Sequence, residues 1–305
     1  MLIIILLLLL ILLFNRSPFL SLTNKFIKSY SDLLKDNFDY TPGGIPKIII
    51  KTSWQSRNEM PKQMIDALNK TNVLNPDYQL YYFDNTDVIE FMKDYSPRAF
   101  AAYNKIIPGA FKADLFRICV LEKYGGCYSD IGHVPENNIT FNEICGDVNI
   151  VLVLDNRITI LPNSEIPHEY TGVHNALMCS TKNHGFFKLL VDKTCENIEN
   201  GYYGNGPLDV TGPMMIGKQF NCYFADICDY INKNIMNYGY TDYNCDNCKI
   251  KILKLALLPP ATLFILDSNN KKLIKTKFDD YFNIMYTSKK QKHYGELWAL
   301  KQIYN

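Results

Sequence analysis

The chain has 305 residues, 47% of them hydrophobic, and its 32 Lys and Arg against 31 Asp and Glu leave a formal net charge of +1. That much apolar sequence buries a substantial core, as one domain with insertions or one domain with a small appendage. The charges of both signs are spread along the chain, so there is no electrostatic footprint for nucleic acid, and a nucleic-acid partner is discounted.

Leu2 to Phe14 is an unbroken run of Leu and Ile closed by Phe. It is shorter than the roughly 17 to 20 apolar residues that a spanning helix needs. It also lacks a preceding Lys or Arg and a small-residue cleavage site. Phe19, Leu20 and Leu22 extend it beyond Asn15 and Arg16. We read residues 1–22 as a membrane anchor or signal segment and residues 23–44 as a stem that ends in the turn-forming TPGG at Thr41 to Gly44. Arg16, Lys25 and Lys28 on its C-terminal side point to a cytoplasmic main domain.

IPKIIIK, Ile45 to Lys51, is a short β-branched run and reads as a buried first strand. Pro61 opens a helix to about Asn72, with Met64, Ile65 and Leu68 on its apolar side. Tyr78 to Phe83 reads as the second strand, and Asp84, Asn85 and Thr86 offer caps for a helix through Val88, Ile89, Phe91 and Met92. A further helix, Pro97 to Ile107, is broken by Pro108 and Gly109. Strand, helix, strand, helix at this spacing predicts an α/β fold with a mostly parallel central sheet flanked by helices.

The stretch Phe111 to Pro135, FKADLFRICVLEKYGGCYSDIGHVP, organises the rest. Phe111, Leu115, Ile118 and Cys119 share one helical face, and Asp114 and Arg117 lie three apart, adjacent on the helix surface. Gly125 and Gly126 stop the helix. Cys127 to Asp130 then reads as a short strand that delivers a carboxylate to its C-terminal end, where open α/β sheets bind ligands.

Downstream, Asn149 to Leu154 is an apolar strand that ends at Asp155, Leu177 to Ser180 is a shorter one, and a helix runs from about Gly185 to Ile198. NGYYGNGP, Asn200 to Pro207, is glycine-rich without Walker or GxGxxG spacing, so it reads as a substrate-side loop. A helix follows Gly212 and Pro213, then a cysteine-containing insertion near 221–249, a strand from Ile250 to Leu258, and KHYGELW at Lys292 to Trp298. Of the nine cysteines, Cys119, Cys127 and Cys179 sit in apolar runs as small buried hydrophobes. Cys222, Cys228, Cys245 and Cys248 are clustered, and either disulfides or a zinc site would suit them. Sequons stand at Asn15, Asn69 and Asn138.

Several blocks in this order carry a family resemblance: IPKIIIKT at Ile45 to Thr52, NPDYQLYYFD at Asn75 to Asp84, and KADLFRICVLEKYGGCYSD at Lys112 to Asp130. NALMCSTKNHGFF at Asn175 to Phe187, TGP at Thr211 to Pro213 and HYGELW at His293 to Trp298 follow them. The chain resembles glycosyltransferase family 32 over roughly residues 45 to 300. The resemblance implies a GT-A type nucleotide-sugar-binding fold for residues 45–305 and a nucleotide-sugar donor with a glycan or glycoprotein acceptor. It also implies Mn²⁺ or Mg²⁺ and retention of anomeric configuration. Such an enzyme acting on secretory cargo belongs in a Golgi-like lumen, and we take that orientation for the anchored chain against the charge cue.

By resemblance Asp130 holds the ribose and metal end of the donor, while Asp114 and Arg117 contact the transferred sugar and its phosphate. His293 supplies a metal or diphosphate contact, and Trp298 caps the sugar. Trp54 is a candidate to stack on the base, and Asn175 to line the sugar site. The expected catalytic residues are therefore Asp130, Arg117 and Asp114. Where the family has Asp-x-Asp, this chain has Asp130, Ile131, Gly132 and then His133. His133 as replacement ligand, a water-mediated metal beside Gly132, and an inactive relative that binds sugar or nucleotide all stay open. A glycoside hydrolase needs a second facing acid, and none is marked out near Asp130. A dehydrogenase needs GxGxxG after the first strand, which is not there.

Overall fold

The computed structural model describes residues 27–36, 43–160, 169–225, 242–245, 248–286 and 292–305. The apolar segment 1–22, residues 23–26 and 37–42 of the stem, Cys228 and the greater part of the cysteine-containing insertion lie outside the described residues. Among the described residues, no helix is long and apolar enough to cross a membrane.

The strands are β1 (Ile48–Thr52), β2 (Gln79–Phe83), β3 (Gly126–Ser129), β4 (Val134–Pro135), β5 (Ile150–Ile160), β6 (Tyr170–Val173), β7 (Leu177–Ser180), β8 (Asp242–Cys245), β9 (Cys248–Leu258), β10 (Thr262–Leu266) and β11 (Lys272–Lys275). The helices are α1 (Tyr30–Leu33), α2 (Lys62–Leu74), α3 (Asn85–Tyr95), α4 (Pro97–Lys105), α5 (Gly109–Tyr124), α6 (Phe141–Cys145), α7 (Gly185–Glu199), α8 (Pro213–Tyr223), α9 (Tyr281–Tyr286) and α10 (Tyr294–Ala299). All strands join one sheet in the order β2-β1-β3-β7-β5-β9-β10-β11-β4, with β6 on β5 and β8 on β9.

The sheet is mixed, which corrects the expectation of a mostly parallel one. β2, β1 and β3 are parallel, as helical crossovers between them require. β9, β10 and β11 form an antiparallel meander because short turns join them. β7 runs antiparallel to both neighbours, and β5 pairs parallel with β9.

Side chains alternate between two cores, one on each face of the sheet. Ile48 and Ile50 of β1 join Tyr81, Tyr128 and Leu152 on one side. Ile49 joins Tyr82, Cys127 and Val153 on the other. Burial on both faces explains why these strands read as continuous apolar runs.

α5 belongs to the first face and is wrapped on nearly all sides. Asp114 through Leu121 are all buried, because α3, α4, α7 and α10 pack around the helix above β3 and β7. Asp114 and Arg117 are therefore an interior pair, not the surface pair that spacing alone suggests. Every residue of the interior pattern contributes: a fully buried Leu, Ile or Phe side chain stabilises by about 1.5–3 kcal/mol.

Gly125 and Gly126 carry the chain from α5 into β3 with φ of +69° and +85°. A Cβ on Gly126 would lie 2.2 Å from Ile48 Cγ1 and 2.8 Å from the Ile48 carbonyl oxygen. Both conformation and space require glycine. Gly126→Ala is expected to destabilise the protein by on the order of 3 kcal/mol. A chemical denaturation curve overlaying that of the wild type would refute it.

Candidate active site

The site forms where α5, the end of β3 and the β6–β7 connection meet. β5 pairs with β7 through Ile150 and Val151, then on the same edge with β6 beyond Leu154. The chain between β6 and β7, His174 to Ala176, is thereby brought to the C-terminal end of β3. Two backbone bonds fix it there: His174 N–H donates to the Val153 carbonyl at 2.7 Å, and Asp130 N–H donates to the Ala176 carbonyl at 2.8 Å.

Arg117 is the hub. Its Nη1 donates to the Asn175 carbonyl at 2.8 Å and lies 3.4 Å from Asp130 Oδ1. Its Nη2 lies 3.5 Å from Asp114 Oδ1, its Nε donates to the Ala113 carbonyl at 3.2 Å, and the guanidinium sits 4.7 Å over the Tyr128 ring. Asp114 and Arg117 are only 9% and 6% exposed, so the pairing is desolvated. Asp114 accepts on both oxygens, from Asn175 Nδ2 at 2.8 Å and Thr211 Oγ1 at 2.9 Å. Burial pushes its carboxyl above the ordinary value, with Arg117, Thr211 and Asn175 opposing.

Asp130 is half-buried and accepts the Tyr128 hydroxyl at 3.0 Å. Burial would raise its pKa, but the charge of Arg117, then of Lys277, holds it down to about 2. It is a carboxylate at every physiological pH. Beneath the turn Asp130–His133, the Lys51 ammonium donates to Ser129 Oγ at 3.2 Å, to the Asp130 carbonyl at 3.0 Å and to the His133 carbonyl at 3.5 Å. His133 is 1% exposed, its Nδ1 is 3.1 Å from Ser129 Oγ, and its buried Nε2 has no hydrogen-bond partner among the described residues.

A cleft of about 880 Å³ opens above these groups, and Trp54, Asp114, Arg117, Asp130, Asn175 and His293 all line it. His293 is exposed and caps α10, its Nδ1 accepting the Gly295 N–H at 3.2 Å. Two residues singled out in the sequence do not line the cleft. His133 is folded under the turn, and the Trp298 indole turns aside to donate to the Tyr203 carbonyl at 2.6 Å, while Tyr294 and Leu297 of the same helix face the cleft.

The segment that holds Asp130 also lies within a family match. The glycosyltransferase sugar-binding region containing the DXD motif matches residues 61–150, from α2 through β3 to the start of β5. Inositol phosphoceramide mannosyltransferase 3 of Schizosaccharomyces pombe is 32% identical to it over 113 residues, 35% of this chain and 31% of the relative. The Saccharomyces cerevisiae mannosyl phosphorylinositol ceramide synthase CSH1 is 25% identical over 188 residues, 61% of this chain and 45% of the relative. The chain thus spans less than half the length of either curated relative. Among solved structures, the PaToxG glycosyltransferase aligns over 71% of this chain and 81% of its own at 17% identity and a TM-score of 0.47. The family region covers α5 and β3, and so Asp114, Arg117 and Asp130. Asn175, Thr211 and His293 come from beyond it.

Sequence reasoning overlooked His174, Lys277 and Tyr281, which also line the cleft. His174 adjoins the recognised Asn175 block and was within reach. Its ring is kept neutral, as burial pulls its pKa to about 4. Lys277 and Tyr281 follow β11 and carry no motif; only the folded meander returns them to Asp130.

Burial pulls Lys51 from its ordinary 10.5 down to about 7, with Asp130 opposing. Between those values the unfolded chain holds a proton that the folded chain has released, so stability rises with pH across that window. Lys51→Met removes this titration and three donated hydrogen bonds. The variant should lose about 1–3 kcal/mol near pH 7 and show a smaller gain in melting temperature from pH 7 to pH 9 than the wild type. Parallel pH profiles for the two proteins in calorimetry would contradict the assignment.

Proposed function

We propose that the cleft binds a nucleotide-sugar donor and transfers its hexose, with retention, to a glycan or glycoprotein acceptor, on a GT-A type fold. The observation that carries this reading is the Asp114–Arg117–Asp130 chain at the C-terminal end of β3, inside the matched family region and open to the cleft. Mannose is the favoured hexose, since both curated relatives are named for mannosyl transfer. The apolar segment 1–22 supports action at a membrane of the secretory pathway.

The chemistry asks for little covalent help. As the bond between the hexose anomeric carbon and the diphosphate oxygen breaks, negative charge grows on the phosphate oxygens, and fixed positive groups lining the cleft stabilise it. Arg117 suits this task because its fork is held rigid by two carboxylates and a carbonyl, and it needs no reorganisation as the charge develops. Asp114, with each oxygen already accepting one bond, keeps lone pairs for a sugar hydroxyl. Asp130, charged at all working pH, orients the donor from the other side of Arg117. The family also implies a divalent cation, whose contribution would be Lewis-acid neutralisation of the diphosphate. Asp130 supplies one carboxylate for it, and among the described residues no further His, Asp or Glu side chains converge with Asp130 into a set of three.

A panel of UDP- and GDP-hexoses incubated with the purified chain tests the reading, with released sugar as the signal. Release from at least one donor, GDP-mannose first, is expected, and Asp130→Ala should abolish it. No release from any donor would favour the non-catalytic relative, a reading that Gly132 in place of the second acid supports. In the active protein, Arg117→Lys should lower kcat by about 10²-fold or more, because an ammonium cannot hold both carboxylates and a phosphate in one plane. A kcat within threefold of wild type would remove Arg117 from the chemistry.

A further inference from the structure

The second acid of the family pattern falls at position 132, and the fold leaves no room for one. A Cβ on Gly132 would lie 2.8 Å from Tyr281 Cε2, 2.9 Å from the Thr276 carbonyl oxygen and 3.1 Å from Lys277 Cδ. The wall is not a loose side chain. Thr276 is fixed through its N–H and its hydroxyl, which donate to the Leu263 carbonyl at 3.0 and 3.1 Å. Tyr281 packs edge-on against Phe278, with ring centroids 5.1 Å apart. The segment that follows β11 therefore occupies the volume that a second carboxylate would need.

The same segment brings in a positive charge. Lys277 lines the cleft beside Asp130 and Arg117, with its ammonium 4.1 Å over the Tyr281 ring. Its charge and that of Asp130 act on each other, while burial disfavours its protonated form. Among the described residues Lys277 makes no carboxylate pair within 4.0 Å. It is a partly desolvated cation without its own anion, facing a cleft to which Lys112 and Lys292 also contribute. Asp130 feels two cations, Lys277 and Arg117, and Arg117 is shared with Asp114. A dication gains less there than at a pair of free acids: Asp114 is already engaged by Arg117, Asn175 and Thr211, which leaves Asp130 as the available carboxylate, and the charge of Lys277 repels the ion. A diphosphate gains from both cations.

Resting on the donor-binding reading above, we propose that the Lys277 ammonium takes the divalent cation's part at this site, neutralising the donor diphosphate so that nucleotide binding needs no metal. Lys277 is then a binding residue, and the glycine at 132 is the vacancy that admits its segment.

Equilibrium binding of GDP and of UDP to the full chain, measured by calorimetry in EDTA and again in Mn²⁺, tests this. One nucleotide should bind with the same Kd in both media. Lys277→Met should weaken it about 10- to 100-fold, as expected for one lost charge-assisted hydrogen bond, and Lys277→Arg should restore most of the affinity. Binding that appears only with Mn²⁺ overturns the inference and leaves the donor reading intact, as does metal-free binding that Lys277→Met does not weaken. If neither nucleotide binds in either medium, the donor reading itself fails. Should Lys277→Met not fold, Lys277→Gln takes its place with the same expected loss, and binding that it leaves unchanged overturns the inference.

Discussion

The guanidinium of Arg117 is the constraint on which the rest of the site depends. It lies out of solvent between Asp114 and Asp130 and donates to the carbonyl of Asn175. Three chain segments thus meet at one planar group: α5, the end of β3 and the β6–β7 connection. Removing one partner from such a buried pair leaves an uncompensated charge and costs about 3–5 kcal/mol, whereas an apolar replacement of the whole set could be neutral. The arrangement is therefore poor evidence of a need for stability. It is better understood as the cost of keeping charged groups aligned at a cleft, a cost that the all-round apolar packing of α5 offsets.

The sheet explains how distant residues reach this hub. The parallel β2-β1-β3 group gives the cleft its C-terminal rim, while the antiparallel half returns two other segments to the same place. The change of partner along one edge of β5 lifts His174 to Ala176 over the end of β3. The β9–β11 meander then carries Thr276 to Tyr281 back onto the Asp130–His133 turn. Lys51 supports that turn from the interior, its one ammonium serving a hydroxyl and two carbonyls.

What was legible in the sequence followed from local rules. β-branched runs marked β1 and β2, paired glycines marked the end of α5, and a recognisable block placed Asp114, Arg117 and Asp130 together. Direction within the sheet was less accessible, because the antiparallel half arises from turns and long-range partners with no local signature. Helical spacing placed Asp114 and Arg117 side by side but could not say that the pair is interior, since that depends on α3, α4, α7 and α10 arriving from elsewhere. Trp298 shows the same limit: its helix borders the cleft, yet its indole satisfies the Tyr203 carbonyl instead. Lys277 had no signal at all, because its meaning comes from the turn opposite.

That opposition at Gly132 also bears on how such a chain can change over generations. A codon change that placed an acid at position 132 would not by itself build a second metal ligand. It would drive a side chain into a backbone carbonyl and a packed tyrosine ring. The segment carrying Thr276 and Tyr281 would have to withdraw in the same step, and neither change is favourable without the other. The glycine and the segment that covers it form a ratchet: once both are in place, selection can refine the cleft around them far more easily than it can reverse them.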